Sequence, residues 1–305
     1  MTENIKNIFE HNIHLLGDTN KAVYYFREQQ YDRALTIVAN SIDQIKVVIE
    51  EIINDQEYFN LVATGSLLEM LTGILDAKKN KDFILLADLL ELQLINFLIG
   101  VQELIISKEE MTFNEENYKS NIEHIISRGI GFGEEFREPI NTQELLEKGY
   151  RVEFTSCGLM TLGAQNEDAK FYFHTNSQIQ SEAFILAKHW SKEPKNKYII
   201  YGLGMGYHIL ELLNISLNSE IEIYEGDRNV IQLACAFSDI SKLIGEDRIK
   251  IIYDPTYQEL IRRLDNKDED EGFFIHYPSY ENIRVSAAKS ILNKEIGWAE
   301  AINAL

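Results

Sequence analysis

The chain has 305 residues, of which 45% are hydrophobic and only 4 are proline, which excludes a disordered or fibrous protein and leaves room for two ordinary domains. A formal net charge of -20 opposes binding to nucleic-acid backbones or anionic membranes, though a local basic pocket for a phosphorylated ligand stays open. The two cysteines, Cys157 and Cys235, lie far apart in segments that read as strand and helix, without a CxxC or His companion. They read as buried free thiols of a reduced, cytoplasmic protein.

The opening "MTENIKNIFEHNIHLL" lacks the basic start and unbroken apolar core of a secretory signal. From Ile5 to about Ser107 apolar residues recur at three and four, the helical period. In "ALTIVANSIDQIKVVIEEII" one face carries Leu35, Val38, Ile42, Ile45, Val48 or Ile49, and Ile52. Short breaks at "GDTN" (17–20), "NDQ" (54–56) and "KKNKD" offer N-caps in Asp18 or Thr19 and in Asp82. "FILLADLLELQLINFLIGVQELII" has the length to span a bilayer. Asp88, Glu91, Gln93, Asn96 and Glu103 interrupt it, so it reads as a buried helix. The expectation for 1–110 is an antiparallel helical bundle.

Residues 111–149 are more polar and read as a linker with one connecting helix, broken by "GIGFGEEFREP". "GIGFG" mimics a phosphate loop, but no strand precedes it and the Lys and Ser/Thr of a P-loop are missing. From Tyr150 the period switches. "RVEFTS" and "KFYFH" read as strands and "SQIQSEAFILAKHW" as a helix. "YIIYG", "IEIYEG", "RIKIIYD" and "GFFIHY" are then strands alternating with helices, the last helix being "NIRVSAAKSILNKEIGWAEAINAL". That alternation predicts a Rossmann-like, three-layer α/β domain over 150–305, with a parallel sheet covered on both faces.

Gly202, Gly204 and Gly206 follow a strand and open a helix, where backbone N–H groups and a partial positive charge suit an anion. Without side chains there, open ligand space is expected above the turn. Glu225 ends the second strand, where a carboxylate can hold both hydroxyls of a ribose. Asp254 ends the third strand, and His276 and Tyr277 end the fourth. The dinucleotide fingerprint would need glycine at 207, which is Tyr207, so a nicotinamide dinucleotide fits less well. G-x-G-x-G with an acidic second-strand end is similar to S-adenosylmethionine-dependent methyltransferases. In that family the glycines contact the methionine part, Glu225 would hold the ribose, and Asp254 would lie near the adenine.

"KFYFHTNSQIQSEAFILAKHW", "YIIYGLGMGYHILELL", "IEIYEGD" and "IHYPSYENI" occur in the order seen in the motility accessory factor (Maf) glycosyltransferase family. Residues 150–305 resemble its N-terminal Rossmann-like domain, and Glu182 and Ala183 match a further family stretch. The resemblance implies a nucleotide or nucleotide-sugar ligand and a link to flagellin glycosylation. The family's transferase chemistry is placed in a following MptE-like domain that this sequence does not encode. The chain is therefore expected to bind a small molecule as an accessory module and to turn over neither methyl nor sugar groups. A methyltransferase completed by a partner, and a ligand-free interaction scaffold, are the alternatives. "FREQQYDRALTIVANSIDQI" resembles flagellin export chaperones and so implies a protein partner, with homodimerisation as the other use of the helices.

His208 could donate to a phosphate or carboxylate over the glycines, and Tyr207 should line or cover the pocket. His276 with Tyr277 could serve as a base and its neighbour. The "DNKDEDE" run (265–271) lacks the glycine and distal glutamate of an EF-hand and reads as a solvated loop. No histidines pair at ligand spacing apart from His11 and His14, so no metal site is expected.

Overall fold

Thr2 opens the first helix, its hydroxyl accepting from the Ile5 N–H at 3.4 Å. The helix, α1 (Glu3–Arg27), then runs through the "GDTN" stretch without a break. Asp18 does not cap there: its carboxylate accepts from the Ser41 hydroxyl at 3.4 Å, and Thr19 is buried. The computed structural model describes residues 2–62, 65, 67–110, 114–165, 170–238 and 240–295. They divide into two units. Met1–Thr112 with Phe154–Leu159 and Asn176–Ser181 form the first; Phe113–Glu153, Met160–Thr175 and Glu182–Leu305 form the second.

The first unit is helical. After α1 come α2 (Tyr31–Asn54) and α3 (Leu67–Asn80). A continuous helical stretch follows, made of α4 (Phe83–Leu89), a π-helical turn at Leu90–Leu94 and α5 (Ile95–Lys108). Asp82 caps α4 as expected, accepting from the Leu85 N–H at 3.0 Å. On α2 the buried side is Ala34, Val38, Ser41, Val48 and Ile52, rotated so that Ile42 is exposed. Two buried amides tie α1 to the long helix: Asn12 donates to the Leu98 carbonyl at 2.7 Å and Gln102 to that of Phe9 at 3.1 Å. Among the described residues Phe83–Lys108 is the one helix long and apolar enough to cross a membrane. Within this unit only one face of it, with Leu86, Leu90, Leu94, Leu98 and Ile105, is buried, while Ile84, Leu85 and Leu92 are exposed. The buried helix expected from sequence is thus corrected to a partly buried one, and Asp88 and Glu91 both pair with Arg27.

The second unit begins with α6 (Glu115–Arg128), at the connecting helix expected from sequence, and α7 (Thr142–Glu147), an additional helix in the same segment. Ile122, Ile125 and Phe136 of that segment are core residues. A small sheet follows, of β1 (Arg151–Phe154), β2 (Met160–Gln165) and β3 (Lys170–Tyr172), with β2 and β3 antiparallel. β2, "MTLGAQ", has too short an apolar run to be seen by pattern. Then α8 (Ile179–Trp190) leads to β4 (Lys197–Tyr201), α9 (Tyr207–Ile215), β5 (Glu220–Glu225), α10 (Arg228–Phe237) and α11 (Ser241–Gly245). β6 (Ile249–Tyr253), α12 (Gln258–Asp265), β7 (Glu271–Ile275), α13 (Tyr277–Glu281) and α14 (Ser286–Glu295) complete it. The single terminal helix expected over 282–305 thus starts only at Ser286, and residues 296–305 lie outside the described residues.

The four later strands form one parallel sheet in the order β6-β5-β4-β7, so the unit is mixed α/β. Alternate residues of β4 face opposite sides. Tyr198 and Ile200 pack with residues of α6, α9, α10 and α11, while Ile199 and Tyr201 pack with residues of α12, α13 and α14. Burial of both faces is why "YIIY" reads as an unbroken apolar run. Each fully buried isoleucine here is worth about 1.5–3 kcal/mol of transfer free energy. The register aligns Tyr201 with Tyr224 and Ile275, and Glu225 with Tyr253, so the strands end together on one edge.

Candidate functional site

Three glycines leave β4 at that edge, and all three have positive φ. A Cβ on Gly202 would lie 2.4 Å from Cβ of Ser279. One on Gly204, at φ +51°, would lie 3.0 Å from Cε1 of His276 and 3.2 Å from Nε2 of His174. The space over the turn is filled by the protein's own side chains, which corrects the expectation of open ligand space. Gly206, also left-handed, caps α9. Gly204→Ala should therefore cost about 1–3 kcal/mol through backbone strain and crowding of two rings. Urea denaturation measures this; an unchanged midpoint would show that the rings simply yield.

Glu225 is turned inward as well. It is 2% exposed, and its carboxylate accepts from three backbone N–H groups: Leu203 at 3.1 Å, Gly226 at 2.9 Å and Asp227 at 3.0 Å. Burial pushes this carboxyl up to about 7, with Asp227 adding to the effect and the three N–H bonds opposing it. Those bonds hold the turn after β4 and the turn after β5 together. The ribose role expected of Glu225 has no free lone pair facing solvent to carry it.

The other expected ligand residues are similarly engaged. Asp254 is buried and accepts from the Leu260 N–H at 2.9 Å, stabilising the start of α12. Tyr207 donates to the Met160 carbonyl at 2.9 Å and sets its ring edge-on to His174. His208 is buried and pairs through Nε2 with the Gly202 carbonyl at 3.1 Å, so it does not face a ligand above the glycines. Tyr277, at the start of α13, is 60% exposed while His276 beside it is buried, so they do not share a site. Cys157 and Cys235 are both buried and free.

His276 instead meets His208 and His174, the residue after "KFYF". The rings of His208 and His276 stack at 4.3 Å, with His174 centred 5.2 Å from His276 and 6.1 Å from His208. One ring nitrogen of each lies within 4.8 Å of the other two, which makes the trio able to hold a metal ion. This departs from the absence of a metal site expected from sequence, because ligand spacing is a local test and these residues come from three separate parts of the chain. Burial pushes His208 down to about 3, His174 adding to the effect, and it pushes His276 well below the usual histidine range. Both rings are neutral at pH 7.

Space for a ligand exists elsewhere on the same edge. A cavity of about 470 Å³ opens beside Tyr201 of β4, with Gly226, Asp227 and Arg228 after β5 and Tyr253, Pro255 and Tyr257 at and beyond the end of β6. Asn282, Arg284 and Val285 close one side, and Glu135, Glu144 and Lys148 another. Asp227 caps α10 through the Asn229 N–H at 2.8 Å and accepts from the Tyr150 hydroxyl at 2.6 Å. Asn282 donates to that same hydroxyl at 2.6 Å, so the tyrosine is held from both sides. Burial, with Asp227 close by, keeps Tyr150 protonated far above the usual phenol range. Arg284 crosses the Tyr150 ring and donates to the Lys148 carbonyl at 2.6 Å. Arg228, in the first turn of α10, pairs with Glu138 at 3.4 Å and lies 3.9 Å from Glu144. Three cations, three carboxylates and three tyrosines thus line the cavity.

The sequence did point at this edge, but two residues early: "EGD" carries both the inward Glu225 and the cavity's Asp227. Tyr150, Lys148 and Arg284 had no motif to mark them. No family model matches the chain, and comparison with curated proteins and with solved structures finds no match.

Proposed function

We propose that the second unit is a Rossmann-like binding domain for a small anionic, hydroxyl-bearing ligand of the nucleotide or nucleotide-sugar class. The N-terminal helices are read as a bundle that presents this domain to a partner. The observation that carries the reading is the cavity at the carboxyl edge of the parallel sheet, where open α/β sheets take ligands. Its chemistry suits that class. Arg228, Arg284 and Lys148 can take a phosphate, Asp227 and Glu144 can accept from sugar hydroxyls, and Tyr201, Tyr253 and Tyr257 offer ring faces. The motif order resembling the motility accessory factor family supports the nucleotide-sugar end of the range, with the chain acting as an accessory module. Against an S-adenosylmethionine mode stands Glu225, whose carboxylate is already bound to three N–H groups.

Calorimetry with CMP, a CMP-sugar, a UDP-sugar and S-adenosylmethionine tests this. A nucleotide or nucleotide-sugar is expected to bind, and Arg228→Ala to weaken it by about 1.5–3 kcal/mol, the scale of a hydrogen bond to a charged group. Binding of S-adenosylmethionine that Glu225→Gln abolishes and Arg228→Ala leaves alone would move the reading to a methyl donor. No heat from any of the four would leave the cavity without this role.

A further inference from the structure

We infer that His174, His208 and His276 form a binding site for one divalent transition-metal ion, with zinc the best match to an all-imidazole set. The tautomers argue for it first. Nε2 of His208 faces the Gly202 carbonyl, which can only accept, so Nε2 carries the proton and Nδ1 is a bare lone pair. That Nδ1 is buried and has no hydrogen-bond partner. Nε2 of His174 accepts from the Met205 N–H at a long 3.3 Å, which places its proton on Nδ1, 3.7 Å from the Glu182 carboxylate. His276 sets Nδ1 against the Ser279 hydroxyl at 2.8 Å and leaves Nε2 buried without a hydrogen bond. When Nδ1–H donates to Ser279, Nε2 is a second bare nitrogen beside Nδ1 of His208, and the third, Nε2 of His174, is held only by the long bond from the Met205 N–H.

Each ring therefore has an outer partner on its far nitrogen: a carboxylate, a backbone carbonyl and a hydroxyl. Histidine ligands of metals are oriented by such partners. Leaving two ring nitrogens unpaired in a core is costly, so an apolar pair would serve better if packing were their only task. Zinc–nitrogen bonds of about 2.0–2.1 Å require the three nitrogens to draw closer than their present 4.8 Å limit. Fanning the stacked rings of His208 and His276 apart about their side-chain bonds is the movement that binding requires. Nitrogen donors of this kind select zinc, cobalt, nickel or copper over magnesium and calcium.

The test uses the full chain, stripped of metal by a chelator and titrated with Co²⁺ and then Zn²⁺. One equivalent per chain is expected, with visible cobalt bands of a low-coordinate nitrogen site that zinc bleaches. His208→Ala and His276→Gln should each weaken zinc about a hundredfold or more, Ser279→Ala about tenfold, and surface His189→Ala not at all. If the ligand variants do not fold, melting of the wild type decides: zinc should raise its melting temperature over that in chelator. Absence of stoichiometric metal, affinity unchanged in the histidine variants, or melting indifferent to zinc would each overturn the site.

Discussion

Glu225→Ala is expected to destabilise the second unit by about 3 kcal/mol, more than most surface changes in this chain. The truncated side chain abandons three buried N–H donors at once, each costing about 1–3 kcal/mol, while relief of the neighbouring Asp227 charge returns part of the loss. Glu225→Gln keeps the bonds to Gly226 and Asp227 but turns an amide against the Leu203 N–H, so its cost should be smaller. pH separates the two effects. The folded carboxyl sits near 7, above its ordinary 4.5, so the folded state holds the proton more tightly than the unfolded chain. Its contribution is complete below about 4.5 and is lost as pH rises through about 7. At about 1.4 kcal/mol per pH unit, the wild type should lose up to about 3 kcal/mol across that window relative to Glu225→Gln. Denaturant melts of both proteins from pH 4.5 to 8 measure the difference. A gap that stays constant, or that runs the other way, refutes the buried carboxyl described here.

Glu225 also shows what the sequence could and could not say. Its place at the end of β5 is legible, because a strand buried on both faces must read as an apolar run that stops at the sheet edge. Its orientation is not legible, since that depends on backbone donors from the turn after β4, far away in sequence. The same limit governs the glycines. A strand-to-helix turn with positive φ is written in "GLGMG", but the rings that fill it arrive from β3 and β7 by tertiary packing. In the first unit the helical period is plain, yet "GDTN" mimics a break because cap residues also serve mid-helix. There Asp18 bonds to Ser41 on α2 instead of to its own backbone. The histidine trio was invisible for a simpler reason: its members are separated by whole elements, and no local spacing rule joins them.

The last expectation concerns the opposite edge of the same sheet, where "DNKDEDE" reads as a solvated loop. Its final residue departs from that reading: Glu271 opens β7, is buried, and meets Arg263 of α12. Arg263 also donates through Nε to Glu222 of β5 at 2.9 Å, and Lys197 of β4 reaches Glu222 at 3.3 Å. One guanidinium thus spans two nearly buried carboxylates that would otherwise face each other across the edge. Arg263→Leu is expected to cost about 2–3 kcal/mol. That lies below the usual penalty for stripping a buried pair, because a fifth of the arginine side chain remains exposed and water screens part of the loss. Adding Glu271→Gln to it should recover part of that cost, since the repulsion goes with the charge. The hydrogen bond from Arg263 holds the Glu271 carboxyl below the usual carboxylate range, against the pull of its burial. A depressed carboxyl stabilises above its unfolded value and loses that contribution as pH falls through the folded one. The gap between wild type and Arg263→Leu should therefore be full at pH 7 and close progressively in acid. Urea midpoints at pH 7, 5 and 3 give the answer, and a gap that widens in acid would show that Arg263 acts through packing and not through charge.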